Sequence, residues 1–354
     1  MKYLYRTFAV LFLFIISLQM VAVSAEETRR YKTAEERRDA GISHQLTDWL
    51  QLMPLLEFET SRSRFMPVDS ASTTEREREK SLQLEFTLES EDVSWVNAEV
   101  AYEYDDVKRR MILDEALVEF EYEDYKLEIG RLTVPFGEQF SRFVTSPMLE
   151  FGETQARAMV FAYEPDDEFE LSVFVLKSKL NLDLMDDDKY DWGLALVNQL
   201  DDNWSMGASY LSDLSESDEQ LLEEQAFYEK RVGAFSAYLA YELDEVDVSL
   251  EYVSALTDFN EFEADSNRPS AWNLELGYFP GGAIEYMWRI EGSNELEEMP
   301  ALKTGLGVTW HISANIYSTF EALYGRYKSN YVEDDDENLL DNLSQLAAQL
   351  TIAF

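Results

Sequence analysis

The 354-residue sequence contains no cysteine and only 2 histidines. A disulfide framework is therefore excluded as a source of stability. His44 and His311 are far apart in the sequence, and no spacing around them supports a Ser–His nucleophile or a His-based metal site. We expect no catalytic residues, no metal site and no cofactor. An outer-membrane barrel enzyme, such as a lipase or protease, remains an alternative at this stage.

Basic residues are also scarce, with 29 Lys and Arg against 71 Asp and Glu and a formal net charge of −42. We expect no nucleic-acid partner for this chain. A solvated acidic polymer would have few apolar residues, but 46% of these residues are hydrophobic and 14% are aromatic. The composition therefore predicts a folded protein.

A long apolar run occurs only at the N-terminus. Lys2 and Arg6 precede "FAVLFLFIISLQMVAV", and the small residues Ser24 and Ala25 follow it. A charged start, an apolar centre and a small-residue cleavage site predict a signal peptide over residues 1–25, with an uncleaved anchor as the alternative. A short charged segment, 26–45, would follow, and no later segment has the roughly 20 apolar residues of a membrane helix.

From residue 46 onward, apolar and polar residues alternate with a period of two. In one segment Leu82, Leu84, Phe86 and Leu88 interleave with polar residues, and about sixteen such segments follow one another. Lipid requires every backbone group to be paired, which strands achieve only in a closed barrel. The sequence predicts an all-β fold over 46–354, a transmembrane antiparallel β-barrel of about 16 strands.

The connections alternate between tight turns and long polar stretches, the latter near 65–80, 105–111, 178–189, 211–230, 254–270, 291–300 and 326–344. Short periplasmic turns and long extracellular loops are typical of outer-membrane barrels. The final strand ends at Phe354 and resembles the signal that the barrel-assembly machinery recognises. We therefore expect localisation in the outer membrane of a Gram-negative cell, with outer-membrane lipid and the assembly machinery as partners.

The stretch "GRLTVPFGEQFSRFVTSPMLEFGET", Gly130 to Thr154, does not fit this pattern. It is apolar, but it has neither strand nor helix period, and by strand count it is the third extracellular loop. An apolar loop that does not face lipid must be buried in protein, so we predict that 135–155 folds into the lumen as a constriction loop. Its predicted residues are Pro135, Phe136, Gly137, Arg142, Pro147, Glu150, Gly152 and Glu153. The alternative is a surface loop that packs on its neighbours or at a subunit interface.

"GRLTVPFGEQF" followed by "SPMLEFGETQARA" resembles the PFG and GET pattern of the LbtU-family siderophore porins. "LDEALVEF", "LEYVSALTDF", "SAWNLELGY" and "DWLQLMPLLEFE" are similar as well, although Ser146 stands where the family tends to have Asp. The resemblance implies a TonB-independent barrel associated with ferric-siderophore uptake. Only about twenty residues separate the predicted cleavage site from the first strand, which leaves no room for a plug, so we expect passage to be diffusive.

The charge pattern predicts which solutes pass through the barrel. If the apolar face meets lipid, a set of carboxylates points into the lumen, including Glu99, Glu119, Glu128, Glu251, Glu275 and Glu321. Rings of carboxylates favour cations. Arg131, Arg142 and Arg157 flank the loop and either face these acids across the pore, giving a transverse field, or only neutralise buried carboxylates.

The sequence therefore predicts a porin-type channel for small solutes, with ferric siderophores as one candidate. A general or substrate-specific porin unrelated to iron, with an architecture like that of phosphate-selective porins, is the alternative. Both a monomer and a homotrimer remain open.

Overall fold

The computed structural model describes residues 44–68, 71–88, 95–105, 109–166, 168–177, 190–217, 230–260, 267–296, 299–313, 315–328 and 339–353. The predicted signal peptide, most of the charged segment that follows it and Phe354 lie outside the described residues. No helix in the described part of the chain is long and apolar enough to cross a membrane.

The described chain is almost entirely strand. The strands are β1 (His44–Thr47), β2 (Leu50–Pro67), β3 (Thr73–Leu88), β4 (Val96–Asp105), β5 (Arg110–Tyr122), β6 (Tyr125–Thr133), β7 (Gln155–Asp166), β8 (Phe169–Lys177), β9 (Tyr190–Gln199), β10 (Trp204–Leu211), β11 (Ala234–Glu242), β12 (Val246–Ala255), β13 (Ser270–Tyr278), β14 (Ile284–Asn294), β15 (Leu302–Ser313), β16 (Ile316–Arg326) and β17 (Leu340–Ala353).

Strands β2 to β17 form a closed antiparallel ring. Each pairs with the next along the chain, and β17 pairs with β2, from Leu340 opposite Pro67 to Ala353 opposite Leu55. The short β1 pairs with the start of β2, beyond the end of β17, with His44 opposite Leu52. The prediction of an all-β antiparallel barrel of about sixteen strands is confirmed.

The two faces of the wall differ in chemistry, as the alternating sequence predicts. On β12, Leu250 and Tyr252 are 45% and 43% exposed, whereas Glu251 between them is 5% exposed. In a closed barrel one face points outward and the other into the lumen. The exposed apolar residues therefore form the outer surface, and the intervening residues line the interior.

Aromatic side chains cluster on the outer surface near the short turns. Tyr122, Tyr125, Trp204, Tyr278 and Tyr286 are between 38% and 70% exposed. Several are in contact across strands, as in the Tyr278 and Tyr286 rings with centroids 6.4 Å apart. Such a belt is typical of a membrane interface.

One predicted loop is wrong. The polar stretch near 65–80 is mostly strand, because β2 continues to Pro67 and β3 begins at Thr73. These are the longest strands of the barrel, with 18 and 16 residues. Charged residues can continue a strand where it leaves the hydrocarbon of the membrane, because its outer face then meets polar headgroups or water.

Candidate functional site

Residues 134–154 connect β6 to β7 and form the crossing loop. A backbone hydrogen bond from Val134 N to Thr154 O, 2.9 Å, closes its base. Pro135 removes a backbone donor, and Gly137 has φ of 80°, a conformation that side chains disfavour. These two residues end β6 and turn the chain away from the wall. A short 3₁₀ helix, Met148–Gly152, brings it back towards β7.

Backbone amides of the crossing loop donate to four glutamates of the barrel wall. The pairs are Glu138 and Gln139 with Glu251 (2.9 and 2.8 Å), Arg142 with Glu275 (2.9 Å), Val144 and Thr145 with Glu321 (2.8 and 2.9 Å), and Met148 with Glu291 (2.6 Å). Hydrogen bonds to a charged acceptor each contribute about 1.5–3 kcal/mol. The loop is therefore fixed along most of its length.

These four glutamates lie across the barrel from the loop's own strands. They belong to β12, β13, β14 and β16, and β14 is eight places from β6 in the ring of sixteen strands. They are buried on the inward face, opposite the exposed apolar surface. The loop thus runs through the interior from β6 to the far wall.

Arg142 is the most enclosed charged residue of the loop, with 3% of its surface exposed. Its Nε donates to Asp247 at 2.7 Å, its Nη2 also contacts Asp247, and its Nη1 lies 3.1 Å from Glu285. The guanidinium carbon lies 5.0 Å from the centre of the Phe279 ring, a cation–π distance. Arg142 therefore bridges two wall carboxylates, and its single positive charge balances one of them.

A glycine on the wall makes room for this side chain. A Cβ added to Gly277 would lie 2.8 Å from Arg142 Nε and 2.6 Å from an Asp247 oxygen. No side chain fits there without displacing the ion pair.

Arg289 of β14 forms a second buried cation site and is 0% exposed. Its Nε donates to Glu275 at 2.7 Å, and its Nη1 donates to the carbonyl oxygen of Thr145 at 2.8 Å. Its guanidinium also contacts the Ser141 hydroxyl and lies 4.4 Å from the Phe143 ring centre. The wall therefore supplies a donor for the loop's carbonyls as well as acceptors for its amides.

The two ends of the crossing loop pack together against an apolar part of the wall. Phe136, Met148, Leu149 and Phe151 are at most 3% exposed. They form one cluster with inward residues of neighbouring strands, namely Leu132, Ala156, Ala158, Val160, Phe174, Leu176, Leu211, Ala234, Val253, Ala255 and Ala271. The apolar content that made this stretch unusual is thus buried inside the barrel.

Most inward carboxylates of the remaining wall, β2 to β6, stay partly exposed, although Glu85 of β3 is buried. They include Glu57, Glu59, Glu99, Glu119 and Glu128. Lys126 lies among them and is paired with both Glu119 (2.9 Å) and Glu128 (3.0 Å). This sector is acidic and open to the lumen, in contrast to the apolar sector and to the far-wall sector, whose carboxylates are bonded to the loop, to Arg289 and to Lys303.

Arg131 and Arg157 do not lie where the sequence interpretation placed them. Both are exposed, and they are paired in register on β6 and β7. Each alternates with buried inward residues: Leu132 follows Arg131, and Ala156 and Ala158 flank Arg157. They share the outer face with Ile129 and Met159, so they cannot line the pore or provide a transverse field. The prediction is wrong for these two arginines.

The other predicted loop residues lie in the second half of the loop. Pro147 and Gly152 are buried, while Glu150 and Glu153 are partly exposed. A Cβ on Gly152 would lie 3.2 Å from both Phe136 and Val253, so a glycine allows the close packing there.

The sequence interpretation missed Glu291 because it assigned 291–300 to a loop. In the structure β14 continues to Asn294, and Glu291 is buried between Arg289 (3.5 Å) and Lys303 (2.9 Å). The run Arg289, Glu291 and Ser293 continues the inward phase of the strand. Extending the period-two pattern by two residues would have found it.

The chain matches no protein-family model and no curated protein sequence. Solved porin structures match its fold. The anion-selective porin of Comamonas acidovorans has a TM-score of 0.64 at 10% identity, over 86% of this chain and 99% of that one. Salmonella typhi OmpF, solved in complex with daunomycin, has a TM-score of 0.62 at 11% identity, over 88% and 100%. A mutant Rh. blastica porin has a TM-score of 0.56 at 13% identity, over 86% and 100%. At these identities the likeness shows the fold alone.

Proposed function

We propose that this chain is a passive outer-membrane channel that prefers cations, with the crossing loop as its constriction. The outward apolar surface and the aromatic belt suit a lipid environment, and the closed barrel leaves no unpaired strand edge in it. Many porins are trimers, and a homotrimer fits this proposal as well as a monomer does.

The distribution of charged side chains inside the barrel is the main support for cation preference. Lys126, Arg289 and Lys303 of the inner wall, and Arg142 of the loop, each lie within 3.5 Å of a carboxylate. By contrast, the acids on the inward face of β2 to β6 outnumber the cations of that face, Lys126 and Arg110. Acidic pore linings attract cations and repel anions. The open sector of this lumen therefore selects for positive charge.

The resemblance to LbtU-family siderophore porins extends the proposal to ferric siderophores, taken up without TonB. The acidic sector then restricts the cargo to neutral or positively charged complexes, because an anionic ferric carboxylate complex would be repelled. A porin for other small solutes remains the second candidate, favoured by the fold comparisons alone.

Single-channel recording in a planar bilayer tests the channel proposal. We expect discrete conductance steps and, under a salt gradient, a reversal potential of the sign given by cation permeation. A correctly folded barrel without conductance, or one with anion preference, would refute it. Adding a cationic or neutral ferric siderophore should block the current in a concentration-dependent way if the siderophore extension holds.

A loop variant tests the constriction. Replacing residues 138–152 by a short Gly-Ser linker should raise conductance, because the obstruction is removed. It should also strengthen cation preference, because Glu251, Glu275, Glu291 and Glu321 lose their loop partners and face the pore. Heat-modifiable gel mobility serves as the folding control. A folded variant with unchanged conductance and unchanged reversal potential would show that the loop is not the constriction.

A further inference from the structure

A group of cations lies on the outer surface of the β2–β3 hairpin. Arg62 and Arg64 of β2 and Arg76, Arg78 and Lys80 of β3 form this basic patch, and all five are exposed. Register places Arg62 directly opposite Arg76, Thr60 opposite Arg78 and Phe58 opposite Lys80. The patch is therefore continuous across the two strands.

The five cations face outward because the residues that alternate with them have partners on the inward face. Ser61, 7% exposed, donates to Glu77 at 3.2 Å, and Thr351, 0% exposed, donates to Glu57 at 3.0 Å. These odd-numbered residues occupy the inward face. The sequence "EREREK" over 75–80 thus sends every glutamate inward and every cation outward.

Among the described residues of β2 and β3, no carboxylate shares the outer surface with the patch. The outward positions of the described β2 and β3 are apolar, hydroxyl or basic, and the ion pairs of the described residues do not include Arg62, Arg76, Arg78 or Lys80. Like charges directly opposite each other destabilise a strand pair. A bound anion between them would remove that cost.

The patch lies at the edge of the apolar band. Along the outer face of β3 the order is Leu88, Phe86, Leu84 and Leu82, and then Lys80, Arg78 and Arg76. β4 pairs with β3 only as far as Gln83, so the segment that carries the cations extends beyond the sheet on that side. This is the height at which lipid headgroups meet a barrel in a membrane.

We propose that the basic patch binds the phosphate groups of outer-leaflet lipids. The proposal rests on the membrane location given above but not on conduction. A second copy of the chain fits less well, because the outward positions of β12 to β16 carry no carboxylate: Asp247, Glu251, Glu275, Glu285, Glu291 and Glu321 all face inward. Phosphate is the anion that arginine forks bind best at a membrane surface.

The test uses the purified full-length barrel in non-ionic detergent and native mass spectrometry to count bound lipid. The probes are a diphosphorylated glucosamine lipid and the same lipid without its phosphates. The patch variant is Arg76→Gln with Arg78→Gln. The control is Arg131→Gln with Arg157→Gln, which removes the same charge from the same outer face of the barrel.

We expect the wild type to prefer the diphosphorylated lipid. Each cation near an anionic surface contributes about fivefold in affinity, so the patch variant should bind roughly 25-fold more weakly at low salt, and the control should stay close to wild type. Equal binding by the patch variant and wild type, or an equal loss in the control, overturns the proposal. Dissociation of an oligomer in the patch variant with lipid binding intact would also overturn it and identify the patch as a subunit contact. Lipid binding without conductance would refute only the channel proposal.

Discussion

Replacing Arg142 by methionine tests how the crossing loop is held to the far wall. The change keeps an unbranched apolar stem but removes the charge that pairs with Asp247 and Glu285, the latter 0% exposed. Removing one partner of a buried ion pair costs about 3–5 kcal/mol, because the remaining charge is left without compensation. The backbone bonds to Glu251, Glu275, Glu321 and Glu291 remain in the variant.

The free-energy cost should therefore appear as local release of residues 138–146, the tip of the crossing loop, and not as unfolding of the barrel. At about 1.4 kcal/mol per factor of ten, 3–5 kcal/mol corresponds to roughly 10²- to 4 × 10³-fold faster amide exchange in residues 138–146. Hydrogen exchange with mass spectrometry on the detergent-solubilised barrel measures this, and a β7 peptide serves as an internal control. Single-channel recordings should show added current noise from the moving tip.

A second variant separates the ion pair from simple packing. Adding Asp247→Asn to Arg142→Met removes one of the two unpaired carboxylates, so exchange in the tip should slow again towards the wild-type rate. If Arg142→Met leaves tip exchange and current noise unchanged, the arginine does not hold the loop, and its contacts with the wall contribute nothing to its position.

Three further predictions concern the pore and its loop. Arg157→Glu should leave the reversal potential within error of wild type, because its side chain is on the outer face; a clear shift would place it in the pore. Glu119→Gln should reduce cation preference in salt-gradient recordings, because it removes a charge from the inward face of β2 to β6, the open sector of the pore. Glu291→Gln should change the preference much less, because Glu291 is buried between Arg289 and Lys303. Equal effects of the two variants would contradict the assignment of the open sector. Gly137→Ala should loosen the start of the loop and raise open-channel noise. The φ of Gly137 is 80°, and the new Cβ would lie 2.6 Å from a Glu251 oxygen. A noise level equal to wild type would show that this turn tolerates a side chain.

The sequence by itself determined the barrel and its two faces. A period of two over about sixteen segments is sufficient, because successive side chains of a strand point to opposite sides and a closed ring leaves only lipid and lumen for them to face. The same pattern, applied strictly, would also have placed Arg131 with Ile129 and Arg157 with Met159 on the outer surface. It would likewise have identified the alternating acids and bases of 75–80 as strand. These errors came from treating charged residues as loop or pore residues regardless of their phase.

Only the tertiary structure decided what the crossing loop contacts. Arg142 meets Asp247 and Glu285 at sequence separations of 105 and 143 residues, and Glu321 receives amides from residues 177 and 176 positions away. The loop has no regular period of its own, so its path depends on which wall carboxylates lie within reach once the ring has closed. Barrel closure brings β14 opposite β6. That placement divides the inward glutamates into two groups, one bonded to the loop and one left open to the pore.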